Sequence, residues 1–325
     1  MSNTGLSSVD ESFQEQIMSL LVGSKGKEYH NRVALQCTPS SFATYKLIAD
    51  FLHFTMLCPQ VFLPFVGNPI EHVVRHSGHR GSEYRMMNYR TGNWNIGGTM
   101  EDLLLAGKGS CFLVPFNGTY PNSVSLSPNE WKHISEVCHD RNHLLWLDIN
   151  NFGLCNSIDY DQECLQTILA SGVSCIMSIG LRRSFGLYMQ DLGCVVTIGD
   201  NKENIGLSLR RCASELWYSE PVLVKCIINE VLSDSNLRSE WEKECTRFCK
   251  RIESIRSTLR EAIAKLECPS YAYEFLQNQK GPFSRITVYR GVNEALKQHL
   301  GRYGVLNVSS INDKNLSTVI NMMKD

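Results

Sequence analysis

The 325-residue sequence predicts an α/β protein, with a mostly parallel central sheet flanked by helices and a smaller C-terminal α+β domain joined by a long helix. Three observations predict it. Short apolar runs bounded by Gly, Asn or Asp alternate with helical segments up to Gly199, as buried strands in a βαβ series do. An unbroken helical stripe then starts near Asp234. The composition, 43% hydrophobic and 20% charged, supplies a substantial core. The expected division is a large domain over 1–232 and a long helix with the small domain over 233–325.

Each element has a local reason. The strands are "GSCFLVPF" (109–116), "HLLWLDI" (143–149), "SCIMSIG" (174–180) and "GCVVTIG" (193–199). Between the first two, "SPNEWKHISEVCHDR" (127–141) opens with a serine cap and a proline in its first turn, and Trp131, Ile134 and Val137 keep helical spacing. Right-handed crossovers are expected for such a series. Beyond Asp234, Leu237, Trp241, Cys245, Phe248, Ile252, Ile255, Leu259, Ile263 and Leu266 step by three or four residues, which is one amphipathic helix. "CPSYAY" breaks it, "VLNVSSI" (305–311) reads as a strand, and a helix follows.

Composition also excludes function classes. Net charge is −1 and the 32 basic residues are spread along the chain, so neither nucleic acid nor an anionic membrane is an expected partner. The 13 cysteines are scattered and form no CxxC pair, and Cys245 and Cys249 lie one helical turn apart; reduced, buried thiols in the cytoplasm are the expectation. The first thirty residues carry Asp10, Glu11 and Glu15 and no long apolar run, unlike a secretory or transit signal. "EHVVRHSGH" places His72 and His76 on one helical face with Glu71 and His79 nearby, but spacing fixes no third ligand, and solvated histidines are the simpler reading. No G-x-S-x-G elbow, Walker loop or dinucleotide fingerprint occurs.

Seven segments, in order, resemble signatures of the aspartate aminotransferase family, the fold-type-I enzymes that use pyridoxal phosphate. They are "TGLSSVDESF" (4–13), "YHNRVALQCTPSSFATYKLIADFL" (29–52), "PNSVSLSPNEW" (121–131), "LDINNFG" (147–153), "YSEP" (218–221), "NQKGPFS" (278–284) and "LNVSSINDKNL" (306–316). An eighth, "SIGLRRSFGLYMQDLG" (178–193), resembles the segment that anchors the cofactor. The resemblance covers nearly the whole chain, and it implies a homodimer, although the family's N-terminal arm has no counterpart before residue 4.

The same resemblance implies that the chemistry has decayed. The family's Schiff-base lysine stands three residues before a Gly-Leu corner, and that position is Arg183, with Arg182 beside it. A guanidinium is a permanent cation without the free amine lone pair an imine needs. The phosphate turn, Ser-Gly-Thr-Gly in the family, reads Pro39, Ser40, Ser41, Phe42, where the proline has no N–H and the phenyl ring is expected to crowd the cup. The phosphate arginine is Asp191, whose charge opposes a dianion. The two substrate arginines fall at Val305 and Glu215, with Arg302 a remote substitute for the first. The residues at the cofactor's phenolic oxygen fall at Tyr120 and Asn151, and the ring-stacking tryptophan at Val66 or Pro69.

Asp148 survives as the implied partner of the cofactor's pyridinium nitrogen, with His72 its implied orienting histidine in a shifted register. Both are expected as vestigial cofactor-binding residues, or as an Asp–His pair kept to satisfy buried polar groups. The expected function is an inactive aspartate-aminotransferase-like protein that does not bind pyridoxal phosphate covalently. The alternatives are an enzyme of another reaction and an active aspartate aminotransferase exchanging amino groups between L-aspartate and 2-oxoglutarate.

Overall fold

A computed structural model describes residues 11–55, 60–64, 69–88, 91–118, 123–265, 274–285 and 304–324. Its four predicted apolar runs become β4 (Cys111–Pro115), β5 (Leu144–Ile149), β6 (Cys175–Gly180) and β7 (Gly193–Ile198), and β1 (Val33–Thr38), β2 (Val61–Leu63) and β3 (Gly81–Glu83) precede them. These seven form one sheet in the order β1-β7-β6-β5-β4-β2-β3. Every neighbouring pair is parallel except those of β7, which runs antiparallel to both β1 and β6. The physical reason lies in the connection: 181–192 holds turns and no crossover helix, so the chain returns beside β6 in the opposite sense.

Both faces of the sheet are covered, which is why its central strands are mostly apolar and buried almost along their whole length. Leu145, Leu147 and Ile149 of β5 join one core and Trp146 the other, the period of two that a strand imposes. The first core packs under α1 (Glu11–Val22), α5 (Pro128–Asp140), α6 (Ile158–Ala170) and α8 (Val222–Ser233). The second lies under α2 (Ala43–Phe54), α3 (Pro69–His76) and α7 (Lys202–Trp217). Helix α4 (Ile96–Leu105) completes the set before β4, with Leu103 in the first core. The α5 start is a full capping box: Ser127 Oγ accepts from Glu130 N at 3.3 Å, and Glu130 Oε2 accepts from Ser127 N at 2.7 Å.

The predicted long helix is α9, Ser235–Ala264, capped by the Asp234 carboxylate on the N–H groups of Asn236 and Leu237. Its buried stripe starts at Trp241, because Leu237 in the first turn is 46% exposed; Leu266 falls outside the described residues. The C-terminal half of α9 leaves the sheet and builds a third core from Ile252, Ile255, Leu259 and Ile263 with Leu276, Leu306, Val308 and Ile311. There β8 (Phe283–Arg285) pairs antiparallel with β9 (Val305–Asn307). The strand expected over 305–311 stops at Asn307, where the chain tightens into a 3-10 turn, and the last helix is Leu316–Lys324. The predicted entry segment at 4–10 lies outside the described residues. Among those described, no helix is long and apolar enough to cross a membrane.

Candidate active site

The sheet brings one group of chain ends together. Thr38 at the end of β1 and Gly180 at the end of β6 both pair with Gly193 at the start of β7, and Asp148 lies one residue from the end of β5. The turns after β1, β5 and β6 and the turn before β7 therefore share one edge, outside the carboxyl ends of the parallel strands, where α/β sheets place their ligands.

Asp148 is 6% exposed. The Tyr45 hydroxyl donates to its Oδ1 at 2.7 Å, the Asn150 amide donates to the same oxygen, and Asn150 also donates to the Tyr45 hydroxyl at 2.6 Å. Burial pushes the carboxyl up to about 6, against the opposing pull of Tyr45, Asn150 and the Arg183 charge. The Tyr45 phenol is held well above its usual range, first by burial and then by the neighbouring Asp148 charge.

Arg183 follows β6 and turns back over the site. Its Nη1 donates to Asn151 Oδ1 at 3.2 Å, and its guanidinium stands over the Phe283 ring, 4.9 Å from the centroid. Burial lowers its proton affinity, as does the Arg182 charge, and Asp148 counters them. The turn that carries it is fixed from outside: Trp241 Nε1 of α9 donates to Ser184 O at 2.7 Å, and the Phe185 and Trp241 rings stack at 4.8 Å. The loop after β5 has its own anchor. Asn117 Nδ2 and Gly153 N each donate to Asp161 Oδ2 at 2.8 Å, Asn117 Nδ2 also donates to Asn151 O at 3.1 Å, and burial pushes Asp161 up to about 7.

At the amino end of α2, Asp191 accepts from Ser41 N at 2.9 Å and from Ser41 Oγ at 2.8 Å. Ser40 Oγ accepts from Ala43 N at 3.0 Å. The Phe42 ring does not crowd this turn as expected: it is 49% exposed and packs edge-on against Tyr45, with centroids 5.7 Å apart.

Arg183, Asp148, Asn151, Ser41 and Asp191 thus lie at one sheet edge. His72 does not join them. It is exposed on α3, its carbonyl is engaged by the His76 ring at 2.7 Å, and Asp148 takes its hydrogen bonds from Tyr45 and Asn150 instead. The neighbouring polar groups are dispersed as well: Glu71 pairs with Arg75 at 2.8 Å and the His79 ring meets Ala49 O at 2.7 Å. Among the described residues no cluster could hold a metal ion. Glu215 is exposed and pairs with Arg211 at 3.4 Å, and Val305 is buried in β9. Pro69 opens α3, whereas Val66, Tyr120 and Arg302 lie outside the described residues. Tyr45 and Asn150 escaped the sequence reading; a polar residue two positions past Asp148 was the available signal.

No protein-family profile matches the chain. Among individual proteins, it is 25% identical over 217 residues to the mitochondrial aspartate aminotransferase P2 of Lupinus angustifolius, covering 66% of this chain and 47% of that one. It is 24% identical over 318 residues to the aspartate aminotransferase of Pseudomonas aeruginosa, covering 94% of this chain and 79% of that one. The matched part thus spans about half the length of the lupin relative. In fold it resembles an aromatic-amino-acid aminotransferase from Burkholderia pseudomallei, solved covalently bound to pyridoxal phosphate, with a TM-score of 0.87 and 23% identity over 99% of this chain and 84% of that one. It resembles a mitochondrial aspartate aminotransferase from Trypanosoma brucei equally well, with a TM-score of 0.88 and 22% identity over 100% of this chain and 88% of that one.

Proposed function

We propose that this chain, which is an aspartate/aromatic aminotransferase-like protein, is a non-catalytic member of that group and holds no covalently bound pyridoxal phosphate. The donor set does not fit the cofactor. An imine needs a primary amine at the site, and Arg183 supplies a guanidinium. A phosphate needs free donors at the amino end of α2, and Asp191 already takes the Ser41 amide and hydroxyl. No lysine joins the hydrogen-bonded cluster at Asp148 among the described residues. The single observation that carries the reading is Arg183 itself, half-buried against Asn151 and Phe283, with a charge that Asp148 feels.

The experiment mixes purified protein with pyridoxal phosphate, follows the visible imine band, reduces with borohydride and maps any labelled peptide. Transamination between aspartate and 2-oxoglutarate is assayed alongside. Neither a band nor turnover is expected, and Arg183→Lys alone is expected to leave transamination absent, because Asp191, Glu215 and Val305 remain. Turnover by the unaltered chain would overturn the reading.

We also propose a homodimer. Its support is an apolar face of α8 turned to solvent, with Val222 56%, Leu223 71% and Ile227 42% exposed. Light scattering on the purified chain tests it, and a monomer mass at micromolar concentration refutes it. A reducing, cytoplasmic setting suits the free thiols, since no disulfide joins the described cysteines.

A further inference from the structure

The carboxylate of Asp191 comes from 150 residues downstream to meet the two donors of one residue at the start of α2. The local sequence gives that amide nothing else. Ser40 Oγ caps Ala43 N, which leaves Ser41 N without an acceptor from its own turn. Main-chain N–H and hydroxyl on one residue at a helix start form the donor pair an oxyanion uses, and the helix end carries partial positive charge. Asp191 forms no ion pair among the described residues, so this helix end is its charge partner.

The strands are shaped to allow the approach. A Cβ at Gly193 would stand 2.6 Å from Ser40 O, and one at Gly180 would stand 2.7 Å from Ser41 Oγ. Glycine at both strand ends lets the turn after β1 sit close against β6 and β7, which brings Asp191, two residues before Gly193, within hydrogen-bonding distance.

We propose that Asp191 is the resident anion of this helix end and closes it to exogenous phosphate. The inference deepens the reading that the site holds no cofactor, and rests on it for its meaning, but it can fail separately. Chemically, the carboxylate supplies the negative charge and the two acceptor oxygens that a phosphate group would otherwise bring, so the fold satisfies this turn with no ligand bound.

The test uses inorganic phosphate and the intact chain. Thermal unfolding and titration calorimetry are run on the unaltered protein, Asp191→Asn and Asp191→Ala, with phosphate raised through the millimolar range in a phosphate-free base buffer. The unaltered protein is expected to show no phosphate-dependent shift in Tm. Asp191→Ala is expected to melt lower without phosphate, to recover with it, and to bind phosphate at least about tenfold more tightly than the unaltered chain, or ~1.4 kcal/mol. Asp191→Asn keeps the shape, removes the charge and carries the test should the alanine variant not fold; it too is expected to gain phosphate binding. An equal phosphate response from the unaltered chain, or none from a folded variant, overturns the proposal. An imine band with pyridoxal phosphate in the unaltered chain would instead sink the cofactor reading, and the phosphate response of the variants would still decide the role of Asp191.

Discussion

Replacing Asp161 by asparagine should stabilise the protein near neutral pH and leave it unchanged in acid. The Asp161 side chain is 1% exposed, and Asn117 Nδ2 and Gly153 N both donate to its Oδ2 at 2.8 Å. An asparagine carbonyl can accept both bonds, so the substitution removes the charge and keeps the contacts. Burial lifts the carboxyl from 3.8 to about 7 in the folded chain, the two donors resisting. The unfolded chain therefore releases its proton near pH 4 and the folded chain only near pH 7. Between those values the folded state binds the extra proton, and the stability it confers, complete in acid, is lost as pH rises to about 7. At about 1.4 kcal/mol per tenfold difference in proton affinity, the whole window is worth ~4 kcal/mol. Urea unfolding followed by circular dichroism, at about pH 4 and about pH 8, should show the stability difference between Asp161→Asn and the unaltered chain growing by up to that amount. Asp148 titrates in both proteins and cancels in the difference. A pH-independent difference, or a variant less stable at the higher pH, would refute the reasoning.

Other expectations follow from the same geometry. Tyr45→Phe removes a hydrogen bond that favours ionised Asp148, so that carboxyl should titrate above about 6, read from its carbon chemical shift against pH. Trp241→Ala removes the stack on Phe185 and the hydrogen bond to Ser184, and should cost about 3–5 kcal/mol in chemical denaturation. Lys225→Met strands the buried Glu220 carboxylate, whose one ion-pair partner among the described residues is Lys225; a loss of about 3–5 kcal/mol is expected, and a Glu220→Leu/Lys225→Met double variant should recover much of it.

The large elements were legible because each strand and helix carries its own period. β4 to β7 fall inside the apolar runs, and the α5 start follows from Ser127 and the proline behind it. The polarity of β7 was not, since nothing in "GCVVTIG" says which way it runs; the connection length and its lack of a helix decide that. Within the site, Arg183, Asp148 and Asp191 could be singled out by type and place. What Asp191 does there could not, because its role depends on the distance to Ser41, a contact that spans 150 residues of chain. For the same reason repulsion of a dianion was foreseen, whereas the carboxylate's own engagement with the turn was not. His72 shows the opposite failure: a plausible residue type in a register that left it facing solvent.

Helix α9 has a mechanical consequence. Trp241 and Cys245 belong to the core beneath the sheet, Ile252 to Ile263 belong to the C-terminal core, and Phe248 packs against both. A rod of 30 residues, about 45 Å long, is therefore a common axle for two hydrophobic bodies. Neither body can swing against the other without bending the backbone near Phe248, where the ladder of main-chain bonds is unbroken by proline or glycine. Any hinge between them must work by flexing this shaft or by slippage of the side chains that grip it.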